Sequence, residues 1–379
     1  MESKISDFID KNKDEMTETL KALCVIPAPS HFEYKRALYC KMWLESAGSK
    51  GVYIDAAGNV VYPLGCENSN EITVFAAHTD TVFPDTEPMP YLDDGDKIHC
   101  PGAADNTASV TVLLELSKFF TEMKIIPPKG ILFVWNSCEE GLGNLKGTKQ
   151  LFEDYKGRIA RFISFDSRLN TLNDRCVGSC RFRVEVTTRG GHSYSDFGNF
   201  NAVAVLSEII TEIYKIKVPE KEGTKTTYNV GTVLGGTSVN TVAQNAEMLC
   251  EYRSDDSKCM DIMKKKFETI FKNAEKDGVL VRVTEAGIRP CGNTSPEQIE
   301  ELKELVIPVI EGVIGETVTC RSSSTDCNIP LSLGIPAICM GVCNYEGTHT
   351  REEWVEKESL TAGLEIAIKT ALVLTNRRN

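Results

Sequence analysis

Histidine and acidic residues follow four apolar segments of the sequence, at the point where each segment ends. The segments and the residues that follow them are 72–77 with His78 and Asp80, 131–136 with Glu139 and Glu140, 162–165 with Asp166, and 337–342 with His349. Asp105 lies just before a predicted helix. Because the carboxyl ends of parallel strands line the binding crevice of an α/β sheet, we expect two imidazoles and several carboxylates to share one pocket.

A pocket with this many acidic groups requires cations, because unneutralised charges are unstable away from water. The candidate ligands are three carboxylates and two imidazoles: His78, Asp105, Glu140, Asp166 and His349. If Asp105 bridges two divalent ions, the other ligands form two pairs, His78 with Asp166 and Glu140 with His349. The three carboxylates and one hydroxide then balance the charge of both ions, and Glu139 remains as a surplus base.

Such a pair of ions favours hydrolysis of an amide bond. Two divalent ions about 3.5 to 4 Å apart lower the pKa of a bridging water, polarise a carbonyl group and stabilise a tetrahedral oxyanion. Glu139 can take the proton of the attacking water and deliver it to the departing amine. Asp80 is two residues from His78, so on extended backbone it returns to the same side and can orient the imidazole ring by a hydrogen bond. Oxygen and imidazole ligands suit Zn²⁺, and also Mn²⁺ or Co²⁺.

The composition is that of a globular protein with two domains. The chain has 379 residues, of which 41% are hydrophobic and 25% charged, enough to form sizeable cores. A net charge of -12 disfavours nucleic acid and anionic membranes as partners. The fourteen cysteines are scattered along the chain. No segment approaches the roughly 18 apolar residues of a membrane span, and no apolar segment follows a basic start, so we expect reduced thiols and a cytoplasmic location.

The order of helical and strand patterns predicts an α/β domain that a second domain interrupts. Residues 1–175 and 289–379 alternate helices with continuous apolar strands, which is typical of a mixed, mainly parallel sheet with helices on both faces. Within residues 176–288 the apolar residues alternate, as at Val184 and Val186, and the predicted order of elements is βαββαβ. We therefore expect a discontinuous catalytic, metal-binding domain and an inserted α+β domain of ferredoxin-like topology.

The motifs resemble those of the co-catalytic zinc metallopeptidases, the family of peptidase T, carnosinase, aminoacylase, acetylornithine deacetylase and the glutamate carboxypeptidases. The motifs follow the order of that family and are His78-Thr79-Asp80, Asp105-Asn106, Glu139-Glu140-Gly141, Asp166 and His349. The resemblance covers nearly the whole chain and implies Glu139 as general base and Asp80 as the acid that orients the ring. The ligand sets that it implies are His78, Asp105 and Asp166 for one ion and Asp105, Glu140 and His349 for the other. It also implies that the inserted domain is a lid through which a homodimer forms.

Three features of the expected lid are similar to substrate contacts of the family. The segment around His192 is similar to the one whose histidine reaches the active site of the partner subunit in dimeric members and stabilises the oxyanion. Asn240 and Arg253 match residues that bind the backbone and carboxylate of the substrate. Each residue also has a local alternative: a hydrogen-bonded histidine, a turn asparagine, and an arginine in a salt bridge with Asp255 or Asp256.

The side chain at position 166 indicates a branch of the family. Aspartate at this position resembles the aminopeptidase and dipeptidase branches, whereas the deacylases and carboxypeptidases tend to have glutamate, and residues 344–349 also look like peptidase T. We therefore predict a di- or tripeptidase, or a related aminopeptidase, that acts on small peptides. The alternatives are an N-acyl amino acid deacylase or carboxypeptidase of the same family and, from another class, a non-catalytic protein that binds peptides or amino acids.

Other polar residues are predicted to have structural roles. His31 and His99 are expected at the surface or in packing contacts, and Asp326 is expected to cap a helix. Residues 141–147 do not fit the dinucleotide-binding fingerprint, and the sequence has no Gly-x-Ser-x-Gly motif. Because Cys138 has no base nearby in the sequence, covalent catalysis is not supported.

Overall fold

The computed structural model describes residues 1–375, which form two compact units. The first unit consists of Met1–Cys176 and the chain from Asn293 onward, and the second is Val177–Gly292. The helices are α1 (Glu2–Cys24), α2 (Tyr34–Ser46), α3 (Ser109–Glu122), α4 (Lys146–Asp154), α5 (Ala202–Tyr214), α6 (Ser257–Ala274), α7 (Pro296–Ile314), α8 (Asn328–Ser332) and α9 (Lys357–Thr375). The strands are β1 (Tyr53–Ile54), β2 (Val60–Leu64), β3 (Ile72–His78), β4 (Leu92–Asp93), β5 (Lys97–His99), β6 (Ile131–Asn136), β7 (Ile159–Phe165), β8 (Thr171–Cys176), β9 (Gly178–Thr188), β10 (Gly191–His192), β11 (Thr226–Gly235), β12 (Thr241–Val242), β13 (Asn245–Ser254), β14 (Val279–Arg289), β15 (Thr319–Ser323), β16 (Ala337–Met340), β17 (Tyr345–Glu346) and β18 (Trp354–Glu356).

A mixed eight-stranded sheet forms the centre of the first unit, in the order β1-β2-β6-β3-β7-β16-β8-β15. β3 is parallel to β6 and β7, and β7 is also parallel to β16. Every residue of β3 and β6 is buried, which explains why their sequences are predominantly apolar instead of alternating. Helices α1, α3 and α9 pack in the core of one face, and α4 and α8 in the core of the other. The prediction of a mainly parallel sheet with helices on both faces is confirmed.

The sequence patterns do not predict helix α2 or strands β2, β8 and β15. Helix α2 buries Ala37, Cys40 and Leu44 but exposes Leu38 and Met42, so its apolar residues are not confined to one face. Strand β15 is an edge strand whose residues are exposed or half-buried. Such elements depend on tertiary contacts, which a local pattern of apolar residues does not report.

An antiparallel sheet in the order β11-β13-β9-β14 forms the second unit. Its buried face packs against α5 and α6 in one cluster, which includes Val184 and Met248 from the sheet and Leu206 and Phe267 from the helices. The main elements follow one another as β9, α5, β11, β13, α6 and β14, which agrees with the βαββαβ pattern. β11 lies at an edge of the sheet, and most of its residues are exposed.

The cysteines are free and predominantly buried. All fourteen are free thiols, and twelve of them are buried. Among residues 1–375, every helix is too short or too polar to cross a lipid bilayer.

Glu115 of α3 is a fully buried acid in the core of the first unit. Its two carboxylate oxygens accept no hydrogen bond from the described residues, and Lys118 Nζ lies 3.9 Å from Oε2. Burial raises the pKa of Glu115 from 4.5 to about 8. Glu115 therefore carries a proton in the folded protein at a pH where the unfolded chain has released it.

We expect the first unit to lose stability as the pH rises from about 5 to about 8, because the raised pKa favours folding only while Glu115 stays protonated. Glu115→Gln keeps the shape without the acid, so it should raise the melting temperature at pH 9 by roughly 5 °C or more and change it little at pH 4. Thermal unfolding of both proteins at the two pH values measures this difference. The exposed Glu304 provides the control, since Glu304→Gln should not alter the pH dependence. Equal melting temperatures at pH 9 for Glu115→Gln and the unaltered chain would contradict the expectation.

Candidate metal centre

His78 is the last residue of β3, at the carboxyl end of the parallel strands and beside Asn136 of β6. Its side chain is only 1% exposed. Its Nδ1 lies 3.1 Å from the main-chain oxygen of Asp80 and 3.4 Å from Asp80 Oδ1. Two acceptors therefore face Nδ1, which places the proton of a neutral ring there and leaves the lone pair of Nε2 for a metal ion.

The two carboxylate oxygens of Asp105 face two different imidazoles. Asp105 lies in an irregular helical turn, Ala103–Ala108, that precedes α3. Its Oδ1 is 3.2 Å from His78 Nε2, and its Oδ2 is 3.0 Å from His349 Nε2. This arrangement suits a carboxylate that bridges two cations, one beside each imidazole.

Asp166 and Glu140 complete a group of donors on each side of Asp105. Asp166 Oδ2 lies 3.9 Å from His78 Nε2, and Glu140 Oε1 lies 3.3 Å from His349 Nε2. The two groups, in each of which the donor atoms lie within 4.8 Å of one another, are His78, Asp105 and Asp166, and Asp105, Glu140 and His349. A third, overlapping group contains Glu139 and consists of His78, Glu139 and Glu140. The structure thus brings together the five ligand candidates and the candidate base.

These separations fit divalent metal ions. Donors about 2.0 to 2.1 Å from a tetrahedral zinc ion stand about 3.3 Å apart along the edges of the tetrahedron. The separations of the imidazole and carboxylate donors are 3.2 and 3.9 Å around His78 and 3.0 and 3.3 Å around His349. Within the described residues, neither His78 Nε2 nor Asp105 Oδ1 takes part in a hydrogen bond, although both are buried. A cation between these two atoms would satisfy both of them.

Burial and mutual repulsion perturb the acids of the cluster. Both effects, with Asp105 as the main source of repulsion, raise the pKa of Glu140 to about 7 and that of Asp166 well above its usual range. Burial also opposes the charge of Asp105, but the two imidazoles hold the pKa of Asp105 below its usual range. Hydrogen bonds to Asp105 and Glu140 raise the pKa of His349 to about 10. The cluster is therefore short of positive charge, which divalent ions would supply.

The carboxylate of Asp80 also positions the two neighbouring glutamates. Asp80 Oδ1 accepts a hydrogen bond from the main-chain N–H of Glu139, and Oδ2 accepts one from that of Glu140, both at 2.9 Å. Ser30 Oγ donates to Oδ2 at 2.7 Å. The sequence spacing predicts only the contact of Asp80 with His78. In the structure the same buried carboxylate also binds the main-chain N–H groups of both glutamates.

Arg36 is a buried residue behind the ligands that sequence reasoning does not identify. It extends from α2, and its Nη1 donates to the main-chain oxygen of Thr79 and to Thr107 Oγ1, each at 3.1 Å. Thr79 follows His78, and Thr107 lies in the turn that carries Asp105. Arg36 therefore joins two of the three segments that carry the candidate ligands of one metal ion, a role that its own sequence segment does not indicate.

Asp326 does not cap a helix, so that prediction is wrong. Helix α8 begins after Cys327 without a side-chain cap. The carboxylate of Asp326 is fully buried and instead accepts hydrogen bonds from Asn136 Nδ2 at 2.7 Å and from Thr148 Oγ1. Asp326 therefore fixes the end of β6 next to His78 of β3, a candidate metal ligand.

In the second unit, His192 and Asn240 lie close together. β10 pairs with β12, which places His192 opposite Thr241. The main-chain N–H of Ser193 donates to the main-chain oxygen of Asn240 at 3.0 Å. Asn240 Oδ1 accepts a hydrogen bond from Ser238 Oγ at 2.9 Å, so this side chain does serve a turn, as the local alternative expects.

Arg253 lies in the four-stranded sheet, far from the end at which the chain continues to His192. It stands opposite Ser179 on β9, whereas the segment that leads to His192 continues from the other end of β9, near Thr187. The strand between Ser179 and Thr187 spans about 26 Å. The guanidinium of Arg253 binds Glu251, with 2.7 Å between Nε and Oε1 and 3.0 Å between Nη2 and Oε2. Arg253 therefore forms a local salt bridge with Glu251 and not with Asp255 or Asp256, and its role as a substrate contact stays a prediction.

Cys138 has a histidine beside it that sequence spacing does not reveal. His31 Nδ1 lies 3.3 Å from Cys138 Sγ, and Glu33 Oε1 lies 3.2 Å from the same sulfur. Burial and the charge of Glu33 raise the pKa of the Cys138 thiol to about 12. The thiol is therefore protonated at neutral pH and is not an activated nucleophile. The other expected surface histidine, His99, forms an ion pair of 2.9 Å with Asp94.

Comparisons with known proteins identify the family of the chain. Residues 74–372 match the profile of peptidase family M20/M25/M40. The chain is 23% identical over 373 residues to succinyl-diaminopimelate desuccinylase from Corynebacterium glutamicum, a match that covers 95% of this chain and 97% of that protein. The fold is similar to that of a tripeptidase from Staphylococcus aureus, with a TM-score of 0.76, 20% identity, and 97% and 99% of the two chains covered. It is also similar to human carnosine dipeptidase 1, with a TM-score of 0.73, 14% identity and both chains covered completely.

Proposed function

The chain belongs to peptidase family M20/M25/M40 and is a metal-dependent hydrolase, and on that premise we propose that it hydrolyses the peptide bond of di- or tripeptides. The observation that carries this proposal is the placement of Asp105 between two imidazoles, with its two oxygens 3.2 and 3.0 Å from His78 and His349. A carboxylate in this position serves a dinuclear centre, which is suited to the attack of water on an amide.

We propose zinc as the bound metal, with manganese or cobalt as alternatives. The residues that would hold the two ions are His78, Asp105 and Asp166 for one and Asp105, Glu140 and His349 for the other. When bound, a pair of such ions polarises the substrate carbonyl and lowers the pKa of a water molecule between them.

Glu139 is proposed as the general base. Its main-chain N–H is fixed by Asp80 Oδ1 at 2.9 Å, and one carboxylate oxygen lies within 4.8 Å of donor atoms of His78 and Glu140. This carboxylate would take a proton from the attacking water and pass it to the nitrogen of the departing amine. Asp80 supports the step by holding Glu139 in place and by fixing the proton of His78 on Nδ1.

His192 is proposed to donate a hydrogen bond to the oxyanion. Its Nδ1 accepts the main-chain N–H groups of Tyr194 and Ser195 at 3.2 and 3.4 Å, which leaves the proton of the neutral ring on Nε2. Asp196 Oδ2 accepts the main-chain N–H of His192 at 2.8 Å and tightens the same turn. The exposed Nε2–H is thus available as a donor for a developing negative charge.

The separation of His192 from Arg253 favours a homodimer through the lid. Arg253 lies beside Ser179 of β9, whereas the chain continues to His192 from the other end of β9, about 26 Å away along the strand. This length exceeds that of a tripeptide, about 10 Å. If both residues contact one substrate, one of them must come from a second copy of the chain. Edge strand β11 could pair with its copy, and Val233 and Leu234 on it are 53% and 63% exposed.

Two further assignments complete the proposal. The aspartate at position 166 favours a peptidase over a deacylase, whereas the similarity to a desuccinylase supports an N-acyl amino acid deacylase as the second candidate. We also propose that the protein is cytoplasmic, since a chain with fourteen free cysteines suits a reducing compartment.

The zinc-loaded chain should hydrolyse di- and tripeptides with a kcat/KM at least tenfold above that for N-acyl amino acids, because the site is proposed to select peptides. The assay compares the three substrate classes with and without a chelator, which should abolish turnover until zinc is restored. Exclusive hydrolysis of N-acyl amino acids would select the deacylase. Binding of peptides without turnover would select the binding protein.

Separate substitutions of Glu139 and His349 test the role of the general base and that of a metal ligand. Glu139→Gln should retain two metal ions per chain and lose at least roughly 10²-fold in kcat, the scale of positioned acid-base catalysis. His349→Ala should instead weaken the binding of metal. Metal content by mass spectrometry and steady-state kinetics measure both effects, with His99→Ala as the control. Near-normal turnover of Glu139→Gln, or unchanged metal content of His349→Ala, would refute the respective role.

The dimer can be tested by complementation. His192→Ala and Arg253→Ala should each lower activity by about tenfold or more, because each removes a group that binds the transition state or substrate. A heterodimer of the two variants, isolated through two different tags, should regain about half of the unaltered activity, since one of its two sites receives both intact residues. No recovery in the isolated heterodimer would show that the two residues act within one chain.

A further inference from the structure

Glu353 is a buried acid that contacts the turn carrying Asp105. We propose that Glu353 is a positioning residue for the dinuclear centre: its carboxylate holds the backbone of this turn so that the two oxygens of Asp105 face the two imidazoles. This inference rests on the metal-dependent function proposed above. It assigns a role to a residue that neither the motifs nor the ligand groups include.

The carboxylate of Glu353 accepts three hydrogen bonds from main-chain N–H groups at the start of the turn. Oε1 accepts the main-chain N–H groups of Ala104 and Asp105 at 2.8 and 2.9 Å, and Oε2 accepts that of Gly102 at 2.9 Å. The side chain is fully buried. N–H groups at the beginning of a helical turn have no partner within the helix, so an acceptor from another segment must satisfy them. Glu353 supplies that acceptor from 248 residues further along the chain.

Glu353 also connects two of the three segments that carry the proposed ligands of the second ion, those of Asp105 and His349. It lies four residues after His349 and immediately before β18. Its main-chain oxygen accepts the N–H of Cys100 at 3.1 Å, and β18 pairs with β5, with Trp354 opposite His99. The segment with His349 and the turn with Asp105 are therefore joined at Glu353 through both its side chain and its backbone. A shift of this junction would change the 3.0 Å separation between Asp105 Oδ2 and His349 Nε2.

The contact requires a carboxylate and not only a buried polar side chain. Three N–H groups divide between both oxygens of Glu353. A glutamine has the same shape, but one oxygen is replaced by an NH₂ group, which donates and does not accept. In Glu353→Gln at least one N–H group of the turn would therefore face another donor. Because all of the ligand distances to Asp105 depend on this turn, the binding of both metal ions should be affected.

The experiment measures the metal affinity of the full chain. The metal-free protein is titrated with Zn²⁺ in a calorimeter and with Co²⁺ under absorption spectroscopy, well below the melting temperature. Glu353→Gln should weaken both binding steps by about 10- to 100-fold, the usual effect of losing a group that orients metal ligands, and should alter the Co²⁺ absorption bands. The matched control is Glu352→Gln, since Glu352 is exposed and should leave both affinities unchanged.

A purely structural role predicts a different result. If Glu353→Gln lowers the melting temperature but leaves both affinities and the Co²⁺ spectrum unchanged, the positioning role is refuted. If this variant does not fold, Glu353→Asp decides the question, because it keeps both oxygens on a side chain that is shorter by one methylene. An affinity of Glu353→Asp equal to that of the unaltered chain at both steps would refute the proposal, and a weaker affinity would support it. If the unaltered chain binds metal but hydrolyses no peptide, the proposed substrate is wrong while the role of Glu353 stands.

Discussion

The first unit is built around a concentration of negative charge that the protein alone does not neutralise. Asp105, Glu140 and Asp166 lie within a few ångströms of two imidazoles, and burial and repulsion raise the pKa of Glu140 and Asp166. Divalent cations would compensate this charge, and in their absence protons on Glu140 and Asp166 reduce it. Around the cluster, buried carboxylates hold the backbone of the segments that carry Asp105 and Glu140.

These supporting contacts come from distant parts of the chain and meet at a few buried side chains. Asp80 fixes the backbone of Glu139 and Glu140, and Arg36 joins the segments of Thr79 and Thr107. Charge-assisted hydrogen bonds of this kind are stronger than neutral ones and restrict geometry more closely. The ligands are therefore held in position by the fold before any ion binds, which lowers the cost of ordering the site.

Most of the candidate ligands can be predicted from the sequence because they follow a topological rule. Strands β3, β6 and β7 have recognisable apolar sequences, and the polar residues after parallel strands must meet at one edge of the sheet. Asp80 could be found from its spacing to His78. Arg36 and Ser30 could not, because their roles depend on contacts across the fold, and the apolar pattern of their own segments contains no sign of them. The helix-cap prediction for Asp326 is wrong for the same reason, because its partners Asn136 and Thr148 come from two other elements.

The strand order of the eight-stranded sheet affects the order in which the two units can fold during synthesis. β16 lies between β7 and β8 in the large sheet, yet it begins only at Ala337, after the whole second unit. The small sheet is complete once β14 has emerged from the ribosome, at Arg289. Domains fold as units while the chain is being made, and pairings distant in sequence form late. The second unit can therefore fold while the first unit is incomplete and β7 and β8 still lack β16 between them.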